Sequence, residues 1–204
     1  MIRLHHLRVG RSIFTVWLLE ELGLDYEMTV YHRGADGRSQ DDIKAATPLG
    51  KSPTIEVDGH VLTESGAIAA YLADRYDTGH ALSPGRDDWN AYSDYLRWLH
   101  YPEGSAFLPL MFKLILMRED PKPPVFSGFA DAEVALHLGM LEGELSARPY
   151  ILGDTFQIPD IGISYIVSMA ERLGELGPYP TLKAYLDRNQ QRDGWKRAVE
   201  KAVE

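Results

Sequence analysis

The stretch KSPTIEVDGHVLTES, positions 51 to 65, constrains this 204-residue chain more than any other. Asp58-Gly59 between TIEV and HVL is a hairpin signal, because glycine takes the positive φ of a tight turn without steric cost. Pro53 stands directly ahead of the first of these strands. Proline cannot donate to a sheet ladder, so it belongs at a strand's first position or at an edge. Glu64-Ser65 closes the hairpin and opens a helical segment, ESGAIAAYLADRY, in which Ile68, Leu72 and Tyr76 share a register.

The residues ahead of this hairpin alternate strand and helix signals. IRLHHL (2–7) puts Ile2, Leu4 and His6 on one face and Arg3, His5 and Leu7 on the other, as a partly buried strand does. IFTVWLLEELG is apolar around most of its circumference and ends at Gly23, which predicts a largely buried helix. DYEMTVYH reads as a second strand, parallel to the first because a helix connects them. The segment from Arg33 to Leu49 is polar and reads as loop with a short helix. The order β-α-β-(α)-β-β-α is the layout of a thioredoxin-like sheet.

After Tyr76 the pattern changes. DTGHALSPGRDD is a linker, and most of the chain beyond it reads as helix: a long one through Trp89, Leu96 and Leu99 that Pro102 interrupts, then 129–145, 160–176 and 180–189. The expected division is an α/β domain over 1–77, a linker over 78–86 and an all-α domain over 87–204.

Bulk properties narrow the function. The net charge of −9 is spread along the chain, with eight Lys/Arg against twelve Asp/Glu up to residue 77 and thirteen against eighteen beyond it. No basic face is evident for a nucleic-acid backbone. No apolar run reaches transmembrane length and the first residues lack the apolar core of a signal peptide, so a cytoplasmic protein with no membrane partner is expected. Cysteine is absent, which removes disulfides, thiolate metal sites and a cysteine nucleophile together. The seven histidines are scattered, and His5 and His6 point to opposite strand faces, against a single metal site.

The two polar ends of the hairpin suit one kind of ligand. An X-Pro bond costs only about 0.5–1 kcal/mol to be cis, and a cis Ser52–Pro53 bond turns backbone groups outward, where an extended peptide pairs with them as in strand addition. At Glu64-Ser65 the unpaired amides and the dipole of the following helix favour a carboxylate, with the Ser65 hydroxyl beside it and Glu64 placed for an ammonium. A backbone clamp beside an amino-acid cradle fits a small peptide, and a cysteine-free protein leaves that peptide to supply any thiol.

The combination PLGKSPTIEVDGHVLTESGAIAAYL, followed by an all-helical second half, resembles the cytosolic glutathione transferases. RSIFTVWLLEELGLDYE and YPEGSAFLPLM look like the serine-type subgroup shared by fungi and bacteria. The resemblance spans essentially the whole chain. It implies that Ser52 and Pro53 grip the cysteinyl backbone of glutathione, that Glu64 and Ser65 hold its γ-glutamyl end, and that Lys51 faces its glycine carboxylate. It also implies a homodimer that acts on a small hydrophobic electrophile in detoxification, with no metal or organic cofactor beyond glutathione. Two positions depart from the pattern. Gln157 stands where the family usually has Ser or Thr capping the helix of Asp160, a change of roughly 1 kcal/mol. Gly10 stands where related sequences, reading Ser-Arg-Ser, carry a serine.

Activation of the thiol is therefore open at this stage. Lowering a thiol pKa near 8.5 by one to two units needs roughly 1.4–2.7 kcal/mol, within reach of one hydrogen bond to the charged form plus a helix N-terminus. Ser12 is the first choice of donor, with an ordinary helix cap as its other reading, and Arg11 or backbone amides are the alternatives. For the second substrate, Tyr101, Glu103 and Phe107 around the Pro102 break are the pocket candidates, against the general tendency of aromatics at helical spacing to pack in cores. Met111, Leu114 and Ile115 read as core or dimer contact. Two further functions remain beside conjugation: glutathione-dependent peroxide or disulfide reduction, and a non-catalytic glutathione-binding interaction module, which Gly10 favours.

Overall fold

A computed structural model describes residues 1–35, 37, 41–47 and 49–202. The chain forms two compact units, one of Met1–Ala81 with the segment from Gln190 onward, the other of Leu82–Asn189.

The first unit is built on four strands, β1 (Ile2–Leu7), β2 (Tyr26–Tyr31), β3 (Thr54–Val57) and β4 (His60–Thr63), in the order β2-β1-β3-β4. Strands β1 and β2 are parallel, joined through helix α1 (Ser12–Glu21), whereas β3 is antiparallel to both β1 and β4. Asp58 and Gly59, at φ 50° and 79°, make the expected turn between β3 and β4. One turn of 3-10 helix, Asp41–Ala45, lies in the segment expected to hold a short helix, and α2 (Ser65–Tyr76) follows the hairpin. Five of the six residues of β1 are buried, because it lies inside the sheet, and only Arg3 is exposed. Every residue of α1 from Ser12 to Glu20 is buried, as its apolar circumference predicts.

What covers α1 is the element that the sequence pattern did not yield, helix α8 (Asp193–Ala202). Its buried positions are Gly194, Ala198 and Ala202, spaced four apart, so the seam is lined by small residues rather than a hydrophobic stripe. Trp195 packs edge-on against Trp17 with ring centroids 4.9 Å apart. Polar contacts secure the rest. Glu20 is 5% exposed; its Oε1 accepts from Tyr26 Oη at 2.8 Å and Lys201 Nζ at 2.6 Å, and its Oε2 from Arg197 Nε at 3.0 Å. Glu21 takes a two-pronged contact from Arg192, at 2.8 Å on each oxygen, and a hydrogen bond from Trp17 Nε1 at 2.8 Å. Burial opposes ionisation of Glu20, but the hydrogen bonds from Lys201, Tyr26 and Arg197 outweigh it and hold its pKa below the ordinary carboxylate value. The segment from Gln190 onward belongs to this first unit.

The second unit comprises α3 (Trp89–Tyr101), α4 (Phe107–Leu116), α5 (Pro124–Ser146), α6 (Ile158–Arg172) and most of α7 (Pro180–Gln190). The interruption expected at Pro102 is a turn of π-helix, Pro102–Ala106, between α3 and α4. Helix α5 begins earlier than position 129, with Pro124 in the first turn, where its missing N–H costs nothing. Helix α6 ends before the expected 176. Gly174 takes φ 78°, and Glu175 N–H returns to the Ala170 carbonyl at 2.9 Å, closing the helix. Trp98, Leu110, Leu138, Ile163 and Tyr185 mark the core these helices share. Within it Asp160 is fully buried, accepting from Ile151 N–H and Gln157 N–H at 2.9 Å each and from Tyr185 Oη at 2.7 Å. Gln157 stands at the N-cap of α6 in a capping box with Asp160, whose Oδ2 accepts the Gln157 N–H, while the Gln157 Oε1 atom is buried with no hydrogen-bond partner.

Candidate functional site

The register of the sheet gathers the hairpin's polar ends. His5 pairs with Thr54, and Thr54 pairs with Thr63. The carboxyl end of β1, Ser52-Pro53 ahead of β3, and Glu64-Ser65 after β4 therefore lie at the same end of the sheet. Three loops that are distant in sequence meet there.

Ser52-Pro53 is tied directly to β1. Ser52 Oγ donates to the His5 carbonyl at 2.6 Å and accepts from Leu7 N–H at 3.1 Å. The Ser52–Pro53 bond is cis and Pro53 is buried, while Lys51 is exposed. At the other end of the hairpin Glu64 adopts φ 71° and ψ 118°, a conformation that costs a non-glycine residue of order 1–3 kcal/mol and that clusters at binding sites. Glu64 is exposed and Ser65 buried, and no side chain among the described residues caps the N-terminus of α2. The first amides of that helix are thus left to an incoming acceptor.

The residue before α1 is Arg11, at φ −62° and ψ −17°, and Ser12 is the first residue inside the helix, so it is not the cap. Its hydroxyl is engaged within the protein. The residue is 0% exposed, and Oγ accepts from Leu7 N–H at 3.1 Å and lies 2.9 Å from His6 Nδ1 and 3.2 Å from the Leu7 carbonyl. The physical reason is His6, a fully buried residue of β1 whose ring nitrogen is met there by the Ser12 hydroxyl.

The loop between β1 and α1 holds what sequence reasoning missed. Val9, a β-branched residue, sits at φ 53° and is exposed. Arg33, just past β2, grips this loop: Nε donates to the Arg8 carbonyl at 3.2 Å, Nη2 to the Val9 carbonyl at 2.8 Å, and Nη1 to the Gly37 carbonyl at 2.9 Å. Gly10 has no room for a side chain, since a Cβ would lie 2.8 Å from the Leu7 carbonyl oxygen and 3.2 Å from Arg33 Nη2. No local sequence signal marks a left-handed valine. Arg33 reads from sequence as one more polar loop residue.

In the second unit, Tyr101, Glu103 and Phe107 occupy the last residue of α3, the π-turn and the first residue of α4, and all three are half-buried. The Tyr101 hydroxyl lies 2.6 Å from His137 Nδ1, and burial pushes its pKa up, so it stays protonated at neutral pH. Phe107 packs against Tyr165 with ring centroids 6.2 Å apart.

Comparisons with known proteins agree with this geometry. Residues 2–74 match the family described as glutathione S-transferase, N-terminal domain. Glutathione S-transferase 3 of Schizosaccharomyces pombe is 31% identical over an alignment covering 98% of this chain and 88% of that protein. A glutathione S-transferase of Actinobacillus pleuropneumoniae superposes with a TM-score of 0.90 at 32% identity, covering 100% of this chain and 93% of the other. A sphingomonad glutathione S-transferase complexed with glutathione superposes at 0.80 with 25% identity, covering 98% of each chain.

Proposed function

The chain belongs to the glutathione S-transferase family, and from that membership we propose that it conjugates glutathione to small hydrophobic electrophiles. The observation that carries this reading is the juxtaposition of Ser52-Pro53 with the strained Glu64-Ser65 turn at one end of the sheet. Ser52 and Pro53 offer backbone to the cysteinyl residue. Ser65 and the uncapped start of α2 receive the γ-glutamyl carboxylate, and Glu64 faces the neighbouring ammonium. Lys51 stands in solvent until the glycine carboxylate arrives. The thiolate is stabilised by the backbone at the start of α1, with Arg11 nearby in sequence, because the Ser12 hydroxyl is engaged with His6 and Leu7. Tyr101, Glu103 and Phe107 line the seat of the electrophile, where a protonated Tyr101 is a hydrogen-bond donor for an oxygen on the substrate.

The same proposal makes the protein a cytoplasmic homodimer. Exposed Leu114 and Ile115 on α4, at 38% and 49%, are apolar surface of the kind that pairing covers. Gly10 keeps a second reading alive, a glutathione-binding module without turnover, because the position that carries serine in related sequences has no side chain here. Calorimetry with glutathione, followed by conjugation of chlorodinitrobenzene and reduction of a hydroperoxide, tests the set. Binding with conjugation supports the transferase. Hydroperoxide reduction alone moves the chemistry to glutathione-dependent reduction, binding without either activity favours the module, and absence of binding refutes all three.

A further inference from the structure

The loop at Arg8–Gly10 contains a β-branched residue at positive φ, a glycine against which a side chain cannot be built, and an arginine whose nitrogens each serve a carbonyl. We propose that Arg33 is a positioning residue, which turns the Gly10 backbone amide to the sulfur of bound glutathione in place of a side-chain hydroxyl. The inference rests on the proposed glutathione chemistry and specifies how its thiolate is held.

Peptide geometry sets the direction of the amide. The Val9 carbonyl and the Gly10 N–H belong to a single planar trans peptide and point in opposite directions. Arg33 Nη2 holds that carbonyl at 2.8 Å, so the Gly10 N–H is directed away from the guanidinium, on the side that the arginine leaves clear. None of the described residues accepts a hydrogen bond from this N–H. The second contact, Arg33 Nε to the Arg8 carbonyl, fixes the preceding peptide plane in the same way. Val9 does not take φ 53° by preference, since β-branched residues are strongly disfavoured there, so something must hold the plane. The planar fork of arginine reaches two adjacent carbonyls at once, whereas a lysine ammonium is a point charge on a flexible stem. The loop also adjoins the proposed cysteinyl clamp, because Ser52 Oγ accepts from Leu7 N–H at its near end.

The test compares wild type, Arg33→Met and Arg33→Lys. Calorimetry measures glutathione binding, and ultraviolet thiolate absorbance against pH gives the ionisation midpoint of the bound thiol. Wild type is expected to titrate about one to two pH units below the free thiol value near 8.5. In both variants the midpoint is expected to rise by about one unit, a tenfold loss of thiolate below it, while glutathione still binds. A merely structural clamp lowers melting temperature without moving this midpoint. If Arg33→Lys keeps the wild-type midpoint, charge alone suffices and the proposal falls; it falls equally if neither variant shifts it. A measurement on wild type decides the matter if the variants do not fold: the Gly10 amide resonance should move downfield as bound glutathione ionises and stay still with S-methylglutathione. An amide that responds identically to both ligands overturns the proposal. Wild type that binds glutathione with an unshifted thiol refutes this inference alone, whereas wild type that binds none refutes the functional reading beneath it.

Discussion

Replacing Glu20 by glutamine probes the attachment of α8 to α1 at its most buried charge. The wild-type carboxylate accepts three side-chain hydrogen bonds, from Tyr26, Lys201 and Arg197, in a residue that is 5% exposed. Hydrogen bonds to a charged group contribute about 1.5–3 kcal/mol each when buried. The Lys201 and Arg197 side chains are 52% and 49% exposed, so water screens both and each counts for much less, toward the value of a surface pair. Glutamine keeps one acceptor but turns an amide donor toward one of its donors. The expected loss is about 2–3 kcal/mol near neutral pH. The pH dependence has a definite sign. Because the folded-state pKa of Glu20 is lowered, its contribution is fully present above the unfolded value near 4.3 and disappears as pH falls through the folded value. Urea unfolding of both proteins, followed by fluorescence of the Trp17–Trp195 pair, measures the gap near pH 7 and again near pH 3. A gap below about 0.5 kcal/mol at neutral pH, ordinary for a surface change, refutes the anchoring role, and an equal gap at both pH values refutes its ionic character.

Three further substitutions have definite expected outcomes. Gln157→Thr places a hydroxyl, a better capping group, at the N-cap of α6 and removes a buried unpaired oxygen, so thermal denaturation should show a gain of about 1 kcal/mol. Ser12→Ala should cost about 1–2 kcal/mol by removing the hydroxyl that contacts His6 Nδ1 and Leu7, yet leave the thiolate absorbance of bound glutathione unchanged; a loss of that absorbance returns Ser12 to the site. Gly194→Ala places a Cβ 2.5 Å from Glu21 Oε1, which Arg192 and Trp17 hold in place. The net effect should be destabilising by about 1 kcal/mol or more in urea unfolding, even though alanine favours helix by about as much.

Where a local rule determines conformation, the sequence was sufficient. The Asp58-Gly59 turn, the parallel β1–β2 pair and the interruption at Pro102 each follow from a few adjacent residues, and the structure has all three. The hairpin also brought Ser52-Pro53 and Glu64-Ser65 into view together, because its register is set by its turn. Helix α8 was not legible: its buried face is glycine and alanine, and its charged partners lie on α1, far away in the chain. The direction of the Ser12 hydroxyl was hidden for a related reason, since it depends on a histidine across the β1–α1 turn rather than on its own position before an apolar run. Val9 carries no mark of its conformation, and the side chain that holds its carbonyl, Arg33, lies 24 residues along the chain.

The return of α8 to α1 has a consequence for how the protein is made. A ribosome releases the thioredoxin-like portion long before the residues that shield Trp17 and neutralise Glu20 and Glu21 have been translated. Until Arg192, Trp195 and Lys201 emerge, the nascent chain carries an open apolar flank with two unmatched negative charges, and the intervening helices have time to collapse first. Maturation of the earlier-synthesised half thus awaits the translation of α8, well after the second unit's helices have left the exit tunnel.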